Sequence, residues 1–400
     1  MTLHQAQGIG PRSIVRILKS FPDADSLTKA GNDVLRDALG KEVSTLVQRN
    51  LLAQWQNMLA KATDVVQDHI GKKIIPLPIT DSRYPPLLRL ISDPPPILFV
   101  RGRIETLSLI DTVAIVGTRD ATEKGKEVTA RIAKHFGKNG YVVVSGLAKG
   151  IDTAAHEAAL DAGAKTVAVL GTALDQIYPA GNRPLADRIA DDSGALISEL
   201  PLRKKSLRNA FVQRDRIQSG MSLAVIPIQT DIEGGTMHTV RFAEVQNRLL
   251  FCPKPLAIES HLKQYAGIVE LIRTHRAIEF QAEDYGSLQG FLLERKRKLL
   301  SSAEVIAEVP VETASLSKVG DGLPGPEDKK TSKKKSQRAL EFADATLERF
   351  TANQEDVEKI IDLVRQVKLD ERFRFDETMK AVRKQLFGTE KRQPKKTESS

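Results

Sequence analysis

From residue 113 the chain repeats one pattern, a short run of β-branched and aliphatic residues followed by a stretch long enough for a helix. The runs are VAIVG (113–117), YVVVSG (141–146), TVAVLG (166–171), ALISEL (195–200), LAVIPI (223–228) and RLLFCP (248–253). Apolar residues at successive rather than alternate positions belong to strands buried on both faces, and the spacers between them supply the covering helices. The pattern predicts an α/β domain over 111–257, a Rossmann-like, doubly wound and mostly parallel sheet. Few other folds accept so many two-sided strands.

The flanks read differently. In residues 1–68 apolar positions recur at helical spacing, Ile14, Val15, Ile17 and Leu18, then Leu35, Leu39, Val43 and Leu46, so an N-terminal helical domain is expected. Its opening Gly8-Ile9-Gly10-Pro11 has two readings. It is half of a helix-hairpin-helix whose glycine turn aims N–H groups at a phosphate, or the glycines simply end a turn. Residues 69–110 contain YPPLLRLISDPPPILFVRG, a Pro-rich connector expected to run extended and pack on the core through 87–91 and 97–100. After the sheet, 258–306 reads as a helical extension. Residues 307–337 are poor in large apolar side chains and rich in Pro, Gly, Ser and Lys, which predicts a disordered linker. Residues 338–390 read as a C-terminal helical bundle, with Val357, Ile360, Ile361, Val364 and Val367 on one helix face and Phe375, Met379, Val382 and Leu386 on another. Residues 391–400 form a frayed tail.

Composition narrows the function classes. One cysteine, Cys252, in 400 residues excludes a disulfide scaffold and a Cys-rich zinc site. No run of 18 uncharged apolar residues exists, so no transmembrane helix is expected, and the N-terminus lacks the basic-then-apolar order of a secretory signal. A cytoplasmic protein with no membrane partner fits these features. Lys and Arg total 60 against 51 Asp and Glu, a net charge of +9. Residues 301–400 carry 20 basic and 19 acidic side chains, so the surplus lies almost wholly in the first three quarters of the chain. That placement favours a polyanionic partner for the folded front of the molecule.

Open parallel sheets bind ligands beyond the carboxyl ends of their strands. Four strand ends here carry unusual loops. The first is Gly117-Thr118-Arg119. The second, SGLAKGID (145–152), brings Ser145, Gly146, Ala148, Lys149 and Gly150 directly into a helix. The third is Gly171-Thr172 with IYPAGNR (177–183) close behind, and the fourth is EGGTMHT (233–239), with Gly234, Gly235 and Thr236 opening another helix. Glycine admits a phosphate to the backbone, a helix N-terminus offers free N–H donors, and Arg119 and Lys149 add charge. The segment FVQRDRIQSGMS (211–222), with Arg208 just upstream, adds Arg214 and Arg216. These two cannot share one helix face, and they either line the site or pair internally with Asp215, Glu199 or Glu244. The first loop, GTRDATEKG, lacks GxGxxG, and GxxxxGK[ST] is absent, so neither a dinucleotide cofactor nor a P-loop nucleotide is expected. The seven histidines (4, 69, 135, 156, 238, 261 and 275) have no metal-ligand spacing, and no nucleophile–base arrangement is legible. The expectation is a phosphate-binding site without catalytic residues, metal or cofactor.

YPPLLRLISDPPPILFVRG, VAIVGTR, SGLAKGIDTAAHEAAL, VAVLGTALDQIYPAGNR and FVQRDRIQSGMS, taken in order, resemble the DNA-processing protein A family (DprA, also called Smf) over about residues 75–253. The resemblance implies a Rossmann-like domain that binds and protects single-stranded DNA. It further implies assistance in loading the RecA recombinase during transformation or recombination, dimerisation through this domain, and no enzymatic activity. It assigns DNA-backbone contact to Gly117, Thr118 and Arg119, to the Ser145–Asp152 loop, and to Phe211, Arg214 and Arg216. Two departures stand in that last segment, where Val212 replaces a family proline and Asp215 a family asparagine. The family's Gly-Ser-Leu-x-Thr-Ala stretch reads Gly234-Gly235-Thr236-Met237-His238-Thr239-Val240 here. Residues 260–400 do not read as the winged helix common at the family's C-terminus. Two other readings stay open. One is a sensor or hydrolase of a nucleotide-derived ligand, whose acid would fall at Thr239; the other is a defence-associated DNA-sensing adaptor.

Overall fold

A computed structural model of the chain describes residues 1–206 and 209–307. The expected linker (beyond residue 307), the bundle at 338–390, the tail at 391–400 and Arg208 lie outside the described residues.

Among the described residues nine strands form one sheet: β1 (Ile75–Pro78), β2 (Ile97–Gly102), β3 (Thr112–Val116), β4 (Val142–Ser145), β5 (Thr166–Leu170), β6 (Ala195–Ser198), β7 (Ala224–Pro227), β8 (Leu249–Pro253) and β9 (Ile278–Phe280). Their spatial order is β1-β2-β6-β5-β4-β3-β7-β8-β9. Strands β3 to β9 pair in parallel, whereas β1 and β2 run antiparallel at one edge. Each of the six apolar runs is a strand, and every residue of β3 and β5 is buried. Alternate side chains of a strand point to opposite faces, and the two cores follow from that. Val113 and Ile115 pack with Ile132 and Phe136 of α8 (Glu123–Lys138) and with Ala155 of α9 (Ile151–Asp161). Ala114 and Val116 pack on the other side with Ile217 of α11 (Ala210–Gly220), Val240 of α12 (Thr236–Val245) and Ile268 of α13 (Ala266–Arg273). Helix α10 (Arg183–Asp191) covers the β5–β6 end through Leu185 and Ile189.

The sheet is wider than the sequence pattern. The Pro-rich connector contains β1, the short helix α7 (Pro86–Arg89) and β2, with Phe99 opposite Ser198 of β6. Pro76 and Pro78 are tolerated because β1 is an edge strand, where a missing N–H leaves no ladder bond unmade. On the far edge β9 continues the sheet from β8, Ile278 facing Phe251. The helical extension beginning at 258 therefore also carries a strand, ahead of α14 (Tyr285–Ala307). Leu288 and Leu292 of α14 complete the β3–α8 core.

The N-terminal region is helical: α1 (Thr2–Gln5), α2 (Pro11–Ser20), α3 (Ala24–Thr28), α4 (Asn32–Leu39), α5 (Lys41–Asn50) and α6 (Trp55–Gly71). Ile14, Ile17, Leu35, Leu39, Val47 and Leu51 form its core, while Val15 and Leu18 turn toward the sheet. Gly10 caps α2 with Pro11 in the first turn, a position that suits proline's fixed φ. His69 ties α6 to the sheet. Its Nδ1 meets Val65 O at 2.6 Å, Nε2 accepts from Leu202 N at 2.9 Å, and the ring stacks on Phe99 at 4.6 Å. Among the described residues no helix is long and apolar enough to cross a membrane, and no cluster of three His, Cys, Asp or Glu is placed to hold a metal.

Candidate functional site

Strand order reverses at β3. The chain moves from β3 to β4, β5 and β6 on one side, then returns to β7 and β8 on the other. Loops leaving the carboxyl ends of β3 and β7 therefore diverge and open a cleft between them. The cleft is about 380 Å³, within the range of small-ligand sites. Gly117, Thr118 and Arg119 form one wall; Gly234, Gly235 and Thr236 form the opposite wall; Arg214 and Asp215 of α11 lie between. A lobe of about 140 Å³ adjoins it, lined by Gly146, Ala148, Lys149, Tyr178 and Phe211, and shares Arg119 and Arg214.

Glycines make this proximity possible. A Cβ at Gly117 would overlap Ile151, and one at Gly150, where φ is +79°, would stand 2.5 Å from Thr118 O and 2.7 Å from Arg119 O. The β3 and β4 loops are thus pressed backbone to backbone, and Ile151 N donates to Thr118 O at 3.3 Å. Thr118 N donates to Gln229 O at 2.8 Å, and Thr122 caps α8 by accepting from Gly125 N at 3.0 Å. Between these anchors Arg119 is held at the surface, its guanidinium 5.9 Å from the Phe211 ring centre. Helices α9 and α12 both begin here, directly after Gly150 and Gly235, so two positive dipole ends face the site. Nothing lies within 4 Å of a Cβ built on Gly235, which leaves its backbone open to a ligand.

The expected site residues divide into three groups. Gly117, Thr118, Arg119, Gly234, Gly235, Thr236, Ala148 and Arg214 line the cleft, and Gly146 and Lys149 line its lobe. Ser145, buried, and Gly150, half-buried, serve as loop framework; the Ser145 Oγ donates to Ile115 O at 2.6 Å and joins the ends of β3 and β4. Arg216 is a correction. Its side chain is 5 % exposed and donates to Glu199 at 2.8 and 3.0 Å and to Asp93 at 3.2 Å, so it clamps the connector and the β6 end onto α11 and lines neither space. Of the pairings left open in the sequence, Arg216 makes the one with Glu199 and Arg214 the one with Asp215.

Beneath the cleft lies a buried polar group. Arg214 Nη1 donates to Val169 O at 2.7 Å, and its Nε stands 3.3 Å from Asp215 Oδ1. Asp152, at the start of α9, accepts from Ala148 N at 3.3 Å. Burial pushes the Asp152 carboxyl above its ordinary range, against the pull of Arg214. Burial also pushes Asp215 up to about 7; Arg214 opposes the shift, the like charge of Asp152 adds to it, and Arg119 opposes it.

Two participants gave little sign in the sequence. Gln218 stands in the segment 211–222, read for its arginines and not for this amide, yet it lines the cleft. Tyr178 lies in the loop read only for its glycine and arginine. It is 52 % exposed, meets Phe211 edge-on at 5.7 Å and follows from a loop tied down by Asn182, whose Nδ2 donates to Leu147 O at 2.8 Å.

Residues 76–287 match the family described as DNA recombination-mediator protein A. The chain is 36 % identical over 254 residues to protein Smf of Synechocystis sp., covering 62 % of each. It is 31 % identical over 278 residues to DNA processing protein DprA of Bacillus subtilis, covering 70 % of this chain and 90 % of that one. Against DNA processing protein DprA of Streptococcus pneumoniae it is 38 % identical over 186 residues, 46 % of this chain and 65 % of that one. The chain thus spans less than two thirds of the Synechocystis and pneumococcal relatives. The solved structure of the pneumococcal DNA processing protein A superposes with a TM-score of 0.56 at 28 % identity, covering 70 % of this chain and 92 % of that one. Two antiparallel edge strands, a parallel sheet reversing at β3, glycine loops at its carboxyl end and these matches agree: the chain belongs to the DNA recombination-mediator protein A family.

Proposed function

We propose that the switch-point cleft and its lobe bind single-stranded DNA, and that the bound chain protects the strand and assists loading of the RecA recombinase. The observation that carries the binding is the convergence of Gly117-Thr118-Arg119 and Gly234-Gly235-Thr236 on one cleft. Arg119 and Lys149 are both exposed there. Phosphates would lie against the glycine backbones and the α9 and α12 N-termini, with Arg119 and Lys149 as counter-charges. Tyr178 and Phe211 present ring faces and edges beside that track, which suit unpaired bases and not a stacked duplex. The recombinase role and a homodimeric assembly rest on family membership, as does action without catalysis. A hydrolase reading has nothing to favour it, since Thr239, where its acid would stand, is a buried threonine.

The test is a side-by-side titration with a labelled single strand, a duplex of equal length and a mononucleotide, across several salt concentrations. Preference for the single strand, falling steeply with salt, is the expected result. Equal affinity for duplex, or salt-independent binding of the mononucleotide alone, would overturn the reading. The recombinase role is checked by RecA filament formation on a protein-coated strand, which this chain should accelerate.

A further inference from the structure

The floor of the cleft is more acidic than a phosphate site should be. Asp152 is 5 % exposed and the side chains of Arg214 and Asp215 are 8 % and 14 % exposed; the one buried guanidinium lies 3.3 Å from Asp215 and acts on Asp152 only through space. Arg214 commits Nη1 to Val169 O, and its Nε, though 3.3 Å from Asp215, makes no aligned hydrogen bond. With both acids ionised this floor carries a net negative charge, directly below the two glycine walls, in a medium where charge is poorly screened. An anion drawn in by the helix N-termini and Arg119 would be repelled from beneath.

The groups facing Asp215 come from every element around it. On its own helix, α11, they are Arg214 and Gln218; from α9 it is Asp152; from the β3 loop it is Arg119. From the β7–α12 segment they are Asp231, held by Lys263 at 3.0 Å, and His238, 3.5 Å from Arg241. Asp152 has the backbone donor of Ala148 to favour its ionised form. Both acids line the cleft, but Asp215 has no backbone donor of that kind and is the more exposed of the two. Turning the Gln218 amide end for end lets its nitrogen donate to Asp215 Oδ1 at 3.1 Å while its oxygen accepts from Gly146 N at 2.8 Å and Arg214 Nη1 at 3.3 Å. The other carboxyl oxygen is then free to carry a proton.

Resting on the reading that this cleft binds DNA phosphate, we infer that it takes the phosphate together with one proton on Asp215, which makes Asp215 the residue that sets the strength and pH range of binding. A protonated carboxyl donates a hydrogen bond to a phosphate oxygen; an ionised one repels it. Burial already lifts Asp215 to about 7, and a neighbouring phosphate lifts it further. Between the free and the bound values the complex holds a proton that the free protein lacks. There affinity falls as pH rises, by up to about tenfold per pH unit. Well below the free value Asp215 is protonated in both states and contributes no pH dependence.

The experiment is isothermal calorimetry of the full chain with a short oligothymidylate, whose bases do not titrate in this range, near about pH 7.5 in buffers of different ionisation enthalpy. The wild type should take up a proton on binding, shown by heats that vary with the buffer. Asp215→Asn should take up none, bind equally across pH, and bind more tightly than wild type by about tenfold at pH about 8. His238→Gln, which removes the cleft's histidine, should keep the wild-type uptake. Intact wild-type binding without uptake overturns the inference and leaves the binding reading standing. Uptake that survives in Asp215→Asn, or vanishes in His238→Gln, also overturns it. Failure to bind at any pH overturns both. The wild-type measurement needs no variant, so a poorly folding substitution does not shield the inference.

Discussion

Arg119 and Arg216 are the same residue type in neighbouring motifs, and their surroundings give them opposite work. Arg119 is exposed at a loop tip, with its guanidinium over Phe211. Arg216 is buried against Glu199 and Asp93. Loop-tip cations contribute little to stability, whereas removing one partner of a buried pair strands the others. Arg119→Ala should therefore weaken single-strand binding and reduce its salt dependence by about one released counterion, with an unchanged melt; Lys149→Ala should do the same. Arg216→Ala should cost about 2–4 kcal/mol in denaturant unfolding, and any loss of binding should follow the loss of fold. The sequence could not separate these arginines. It could say only that Arg214 and Arg216, two apart on a helix, face different ways; which one faces the cleft depends on where Glu199 and Asp93 lie, and those are set by β6 and the connector.

At the scale of elements, two glycines make opposite predictions. Gly150→Ala forces a side chain into φ +79° against the Thr118 and Arg119 carbonyls, so it should destabilise by about 2–3 kcal/mol and spread the β3 and β4 loops. Gly235→Ala meets open space and should melt like the wild type, yet bind single strands more weakly because its methyl stands where a phosphate would approach. Thermal melts paired with binding curves check both. The same logic explains what was legible. Strands β3 to β8 announce themselves because burial on both faces forces unbroken apolar runs. Strand β9 has three residues, of which only Phe280 is buried, so it leaves no pattern, and β1 carries two prolines that argue against any strand except an edge. The glycine loops of the site stood out by composition, while Gln218 and Tyr178 acquire their roles from a helix packing and a loop anchoring that no local spacing encodes.

At the scale of the whole molecule, the apolar cores found among the described residues draw their members from residues 1–299, and residues 301–400 are nearly neutral in charge. A chain ending at 306 should keep a cooperative melt and its single-strand affinity; loss of either would tie the remaining residues to the core. The pH dependence of the folded chain follows from two buried groups of opposite sign. His156 is fully buried, and desolvation, with Arg214 adding, lowers it to about 3. Its unfolded form binds a proton from its ordinary value near 6.5 downward, so its contribution is present above about 6.5 and is lost as pH falls toward 3. Asp215 is raised to about 7. Its folded form holds a proton that the unfolded one releases, so its contribution is present below about 4 and is lost as pH climbs to about 7. Between about pH 4 and 6.5 the two slopes oppose each other, and these two groups should leave wild-type stability nearly flat there. Asp215→Asn removes one of them. Compared with wild type, the variant should melt a few degrees higher at pH 8, and its melting temperature should fall distinctly more steeply as pH drops from 6.5 toward 4. Parallel profiles for the two proteins across that window would mean that Asp215 is not titrating in the folded chain.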